Sequence, residues 1–284
     1  MWQIPAIEDA ELDLLINDLQ EIYGYDFRDY SKASLKRQVN RLFTTDKFPS
    51  FAEMRYRLKA DKTYLKRFIE NITVNVTEMF RDADFFRYLR DHIIPTLGTY
   101  PFIRIWVAGC STGEEAYSIA ILMKEANLLQ KTLIYATDLN PAVLEHGRQG
   151  IFNLKRMKLY SENYIQAGGT EEFSSYYTAN YHHAKLNSEF TQRIIFSQHN
   201  LVSDGSFNEF QLISCRNVLI YFNTSLQNKV FNLFDSSLGR LGYLALGTKE
   251  TMLFSSMANR YKQVRPDTKI WRKQVDNLDR RDDL

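Results

Sequence analysis

The chain has 284 residues, 44% hydrophobic and 25% charged, with a formal net charge of +2, enough for one large domain and a small one. Its first residues, Met1-Trp-Gln-Ile-Pro-Ala-Ile-Glu-Asp, lack the apolar core of a signal peptide, and no apolar run approaches the roughly 18 residues of a membrane span. Two cysteines, Cys110 and Cys215, exclude a disulfide framework and predict a reducing, cytoplasmic setting.

Residues 8–23 place Leu12, Leu15, Ile16, Leu19 and Ile22 at helical spacing, and Gly24 is expected to stop that helix. Ser31 or Ser34 caps the next, running to about residue 43, where Lys32, Lys36, Arg37 and Arg41 form a cationic flank beside Leu35, Val39 and Leu42. Charge is uneven here: residues 1–30 sum to −7 and residues 31–70 to +7. Either the second block awaits an acidic partner or neighbouring helices pair internally. Two more helices, near 50–59 and 61–71, complete a helical domain over 1–71. Residues 72–94 are a connector and a leading helix, about 82–94, which Pro95 is expected to close.

From Phe102 the pattern becomes α/β, occupying 95–273: strand 103–108, helix 113–126, strand 132–137, helix 141–148, strands 193–197 and 210–214, helix 224–238, then strands 242–247 and about 261–272. The interval of about 150–192 is too long for one crossover helix and reads as a helix pair with a small β insertion. Residues 274–284 are a charged tail.

Ile103-Arg-Ile-Trp-Val-Ala-Gly-Cys-Ser-Thr-Gly-Glu-Glu115 is the most informative stretch: a buried strand, a turn from Gly109 to Gly113, and a helix that starts with two acids. Such a unit presents backbone N–H groups to a nucleotide-like cofactor. Glu114 and Glu115 would repel phosphate at that helix start, so a cationic, phosphate-free nucleoside fits better, and S-adenosylmethionine is one. Asp138 ends the second strand, where it can accept from both ribose hydroxyls or simply cap the helix after Asn140-Pro141. Asn200 and Leu201, at the exit of strand 193–197, can pair with an adenine edge and cover its face, or form an ordinary turn. Thr77 and Arg81, with Asn75 just before, are four apart and share a face if a helix begins near Thr77. Arg81 then clamps a carboxylate of cofactor or substrate, or else pairs with Glu78 or Asp82. Arg216-Asn217 ends an apolar strand and must find a partner or line a pocket. The cysteines read as packing residues facing the crevice between strands 103–108 and 210–214. No Cys/His spacing suggests a metal.

Together, Asn75-x-Thr-x-x-x-Arg81, Ala108-Gly-Cys-Ser-Thr-Gly-Glu-Glu-Ala-Tyr-Ser-Ile-Ala120, Thr137-Asp138, Asn200-Leu201 and Cys215-Arg-Asn-Val-Leu-Ile-Tyr-Phe222 resemble the CheR-type chemotaxis receptor methyltransferases. These use S-adenosylmethionine to methylate glutamate side chains on the cytoplasmic helices of chemoreceptors. The resemblance, over about 10–272, implies a Rossmann-like class I S-adenosylmethionine-dependent methyltransferase domain with a β insertion behind a small all-helical domain. It implies cofactor contact by Asn75, Thr77, Arg81, Glu115, Asp138, Asn200, Leu201, Arg216 and Asn217, beside Gly109 of the turn. It also implies receptor docking by Lys32, Lys36, Arg37 and Arg41. Arg81, Arg216 or Tyr221 are expected to orient the acceptor carboxylate. The chain departs from the family pattern at Ala116, Gln211, Gly247-Thr-Lys-Glu250 and the glycine-free Tyr177–His183, so a grip on a receptor tail peptide is not expected. The expected protein is a monomer that neither inserts in a membrane nor binds nucleic acid. Rival readings are a methyltransferase for another protein or a small molecule, and a non-catalytic sensor of the cofactor.

Overall fold

The computed structural model describes residues 7–72 and 77–275; Asn75 and the tail 276–284 lie outside them. The chain divides into two compact units, Met1–Asn75 with Ile220–Lys229, and Val76–Leu219 with Val230–Leu284. Among the described residues no helix is long and apolar enough to cross a membrane.

The first unit holds α1 (Asp9–Tyr23), α2 (Lys32–Thr45), α3 (Phe51–Ala60) and α4 (Lys62–Ile72). Helix α1 starts on a capping box of Glu8 and Glu11 and stops at Gly24, whose φ of 74° suits a residue without a Cβ. It buries Leu12, Leu15, Ile16 and Leu19, whereas Ile22, expected on the same stripe, is exposed. Ser50 caps α3, accepting from Glu53 N (3.2 Å), and Asp61 accepts from the Thr63 and Tyr64 amides at the start of α4.

The sequence assigned Ile220–Lys229 to the α/β domain. The structure corrects this, because these residues pack in the helical unit. Ser31 N donates to Tyr221 O (2.7 Å), Asn223 N to Asp29 O (2.9 Å), and the Tyr30 and Phe222 rings meet edge to face at 4.9 Å.

The second unit begins with α5 (Ala83–Tyr88), which passes through a π turn, Leu89–Ile93, into α6 (Ile94–Leu97). Pro95 therefore does not end this helix. It sits inside the continuous helix, and the wide π turn just before it makes room for the ring and the missing N–H. There follow β1 (Ile103–Ala108), α7 (Glu114–Glu125), β2 (Thr132–Asp138), α8 (Pro141–Gln149), β3 (Ile151–Asn153), α9 (Met157–Gln166), β4 (Tyr177–Asn180), β5 (His183–Leu186), α10 (Ser188–Thr191), β6 (Ile194–Gln198), β7 (Phe210–Cys215), α11 (Thr224–Ser237, of which the part from Val230 belongs to this unit), β8 (Leu238–Leu246), β9 (Tyr261–Arg265) and β10 (Ile270–Lys273).

Seven strands form one sheet in the order β6-β2-β1-β7-β8-β10-β9. All neighbours from β6 to β8 pair in parallel, and β10 runs antiparallel to both β8 and β9. The stretch 261–272, read from sequence as one strand, is thus a hairpin that places its second strand inside the sheet. Every residue of β7 is buried, as a strand covered on both faces requires. Strand order reverses between β1 and β7, and the crevice outside their carboxyl ends is where an open α/β sheet takes ligands. The insertion is a three-stranded antiparallel sheet, β3-β5-β4, accompanied by α9 and the short α10, so a helix pair and a small β element both occur in this interval.

Phe196 of β6 is capped by two glycines. A Cβ on Gly113 would stand 2.8 Å from its Cζ, and one on Gly147 in α8 2.4 Å from its Cε1. Gly147→Ala is therefore expected to destabilise the protein by about 1–3 kcal/mol in urea, overpacking outweighing the helix-propensity gain of about 1 kcal/mol. Adding Phe196→Leu should recover most of that loss. An alanine variant as stable as the parent would show that the ring yields freely.

Candidate active site

The turn after β1 is locked to the end of β2. Gly109 N and Cys110 N both donate to Thr137 O (2.8 and 2.9 Å), and Ser111 N donates to Asp138 Oδ2 (2.9 Å). Gly109, Ser111 and Gly113 all have positive φ (73°, 51° and 91°), which bends the chain tightly enough for α7 to start at Glu114. Gly109 is also pressed against Val218, since a Cβ there would fall 2.4 Å from Val218 Cγ2.

Asp138 Oδ1 accepts from Asn140 N (3.0 Å), and the Leu139 amide also bonds the carboxylate, so three backbone amides hold it. Burial raises its carboxyl above the ordinary value, against those backbone bonds. His199 N donates to Asp138 O (3.2 Å), which brings Asn200 beside Asp138 at the ends of β6 and β2. Asn200 is tied into its own turn, its Oδ1 accepting from Val202 N (2.9 Å) and its N–H donating to Asp204 Oδ2 (2.8 Å), with Leu201 buried.

Across the crevice, Arg216 leaves β7 with its side chain 1% exposed. Nη1 bonds Glu115 Oε2 (2.9 Å), and Nη2 bonds Asp82 Oδ2 (2.6 Å) and Arg81 O (3.1 Å). Its guanidinium carbon lies 4.0 Å from the Phe85 ring centroid, while Nε is buried with no hydrogen-bond partner. Ser214 Oγ donates to the other Glu115 oxygen (2.6 Å). The polar pair at the strand end thus finds a partner, as its sequence demands. Asn217 takes positive φ (63°), and Glu250 holds that turn by accepting from Asn217 N (3.0 Å), Val218 N (2.8 Å) and Gly247 N (2.6 Å).

Thr77 does not open a helix. Residues 77–81 are irregular, Phe80 and Asp82 have positive φ, and α5 starts at Ala83, so Thr77 and Arg81 share no helical face. Arg81 is half-buried beside this network, contributing its carbonyl to Arg216. Tyr221 belongs to the first unit, where its carbonyl accepts from Ser31. In that unit Lys32 pairs with Asp13 (2.7 Å) and Lys36 with Asp9, and Arg55 and Lys59 share Asp18, so part of the basic block is neutralised internally. Arg37 and Arg41 are exposed and have no ion pair among the described residues.

Glu114 differs from its neighbour. It is buried, accepts from Thr112 Oγ1 (2.6 Å) and Tyr160 OH (3.3 Å), and burial raises its carboxyl. It lines an open cleft of about 830 Å3 with His146, Arg156, His183 and Lys185. Both cysteines are fully buried, which pushes their thiols well up and removes them as nucleophiles. Sequence reasoning missed Asp82, Ser214 and Glu250 as parts of the site. Ser214 was visible as a polar residue two before Arg216 in an apolar strand, while Asp82 and Glu250 carry no local signal of their partners.

Glu115, Asp82 and Asp138 outnumber Arg216 and Arg81, so the crevice carries excess negative charge. A phosphate is disfavoured there, and a cationic adenosine derivative suits that charge. If ribose hydroxyls donate to Asp138, they favour its ionised form, and cofactor binding opposes the proton that burial favours. Affinity for S-adenosylmethionine measured by calorimetry is expected to be flat well above the raised pKa of Asp138 and to fall, by up to about tenfold per pH unit, as pH drops through it. Asp138→Asn should weaken binding and abolish that slope. A slope surviving in the variant would assign the titration to Glu114.

Residues 75–270 match the family model described as "CheR methyltransferase, SAM binding domain", and residues 10–73 match "CheR methyltransferase, all-alpha domain". The candidate methyltransferase Cher3 of Pseudomonas putida is 43% identical over 93% of this chain and 97% of its own length. Chemotaxis protein methyltransferases of Listeria innocua and Salmonella typhimurium are 32% and 28% identical, over 87% and 92% of this chain and 93% and 90% of their own lengths. Among solved structures, the glycopeptide N-methyltransferase MtfA with sinefungin is similar at a TM-score of 0.37 and 10% identity, over 60% of this chain and 50% of that one.

Proposed function

Because the chain belongs to the CheR methyltransferase family, we propose that it methylates glutamate side chains on the cytoplasmic helices of chemoreceptors. It is an S-adenosylmethionine-dependent methyltransferase. When bound, the cofactor supplies a methyl group on a positively charged sulfur. Asp138 and Glu115 hold its ribose and cationic parts, Asn200 and Leu201 its base, and Arg81 its carboxylate.

A glutamate side chain, with an unperturbed pKa of about 4.3, is ionised at neutral pH and needs no general base. The chain's own task is to orient that carboxylate and strip its water, since well-oriented reactants save on the order of 7–11 kcal/mol of barrier. Arg216 is poorly placed to grip an acceptor, because both its Nη atoms are engaged by Glu115, Asp82 and Arg81. It serves the site as a strut rather than as an orienting group for the acceptor.

The observation that carries the substrate reading is on α2. Arg37 and Arg41, one helical turn apart, are exposed and unpaired among the described residues, a cationic face suited to the acidic flank of a glutamate-bearing helix. Incubation with methyl-labelled S-adenosylmethionine and receptor cytoplasmic fragments should give alkali-labile label on glutamates. Arg37→Glu with Arg41→Glu should raise KM for the fragment about tenfold at low salt and leave cofactor affinity unchanged. Cofactor binding without any label on receptor fragments would overturn the proposal.

A further inference from the structure

Between Thr77 and the start of α5 the chain forms a short strap that is neither helix nor strand, and its main chain is held by side chains from elsewhere. The Thr77, Met79 and Arg81 carbonyls accept from Arg156 Nη2 (3.0 Å), Asn163 Nδ2 (3.0 Å) and Arg216 Nη2 (3.1 Å). The Phe80 N–H donates to Ser118 Oγ (2.9 Å), which itself donates to Glu114 O (2.7 Å). Met79 and Phe80 are fully buried, and the Phe80 ring lies 5.2 Å from Tyr164 of α9. A ladder between two main chains survives a side-chain change; these anchors do not.

Two of the anchors belong to the insertion. Arg156 precedes α9, its side chain is 43% exposed, and its Nη1 stands 3.9 Å from Glu114 Oε1 while Nη2 holds the strap. Asn163 lies two turns further along. We propose that Arg156 and Asn163 are positioning residues for the cofactor: through the Thr77 and Met79 carbonyls they fix the strap that carries Arg81, so the insertion sets cofactor affinity. This rests on Arg81 as a cofactor contact. Neither residue touches the reacting atoms; each acts through the main chain of the segment that carries Arg81.

The test is a double-mutant cycle in the full chain, reading S-adenosylmethionine Kd by calorimetry together with hydrogen exchange at Thr77–Asp82. Arg156→Met and Asn163→Ala should each weaken binding about fivefold and speed exchange at Phe80, with Arg156→Lys recovering part of the loss. In an Arg81→Ala background neither should weaken binding further, which a merely structural role would not produce. If Asn163→Ala does not fold, the exposed Arg156→Met decides alone. Equal losses with and without Arg81, or no loss in a folded variant while Arg81→Ala does weaken binding, would overturn this proposal alone. Unchanged affinity in Arg81→Ala would sink the reading of Arg81 as well.

Discussion

A buried guanidinium shared between two carboxylates organises the second unit's crevice. Arg216 ties the exit of β7 to the first turn of α7 through Glu115 and to the strap before α5 through Asp82. Removing one partner of such a buried pair costs about 3–5 kcal/mol, because the remaining charge is stranded away from water. The network therefore fixes geometry, and it uses up the arginine that the sequence offers as a substrate clamp. What remains is a crevice with more carboxylates than cations.

Around that network the turn from Gly109 to Gly113 is preorganised. Its amides are committed to Thr137 O and Asp138, and Glu250 pins the facing Asn217–Val218 turn through three amides. Little rearrangement is left to be made on binding, which is how a site converts binding energy into orientation. At Asp138 two effects oppose each other: burial favours the proton, and the backbone amides on its carboxylate favour the charge.

The parts legible in the sequence were those written in local pattern. The glycine turn, the acid ending β2 and the neighbourhood of β1 and β7 follow from periodicity and turn chemistry. The strap was misread because Thr77 has the residue type of a helix cap, while its backbone partners, Arg156, Asn163 and Arg216, lie far along the chain. The return of Ile220–Lys229 to the helical unit was hidden for the same reason: Tyr30, Ser31 and Asp29 attract it across almost two hundred residues of sequence. On α2 the internal-pairing reading of the charge asymmetry holds for part of the block. Lys32 and Lys36 are paired with α1, while Arg37 and Arg41 have no ion pair among the described residues.

The central claim is that this crevice selects a positively charged adenosine derivative over phosphate-bearing nucleotides. Parallel calorimetric titrations with S-adenosylmethionine, ATP and NAD at neutral pH and low salt address it most directly. Saturable binding of S-adenosylmethionine alone, lost in Asp138→Asn, is the predicted result. Comparable binding of ATP or NAD that competes with S-adenosylmethionine would contradict it.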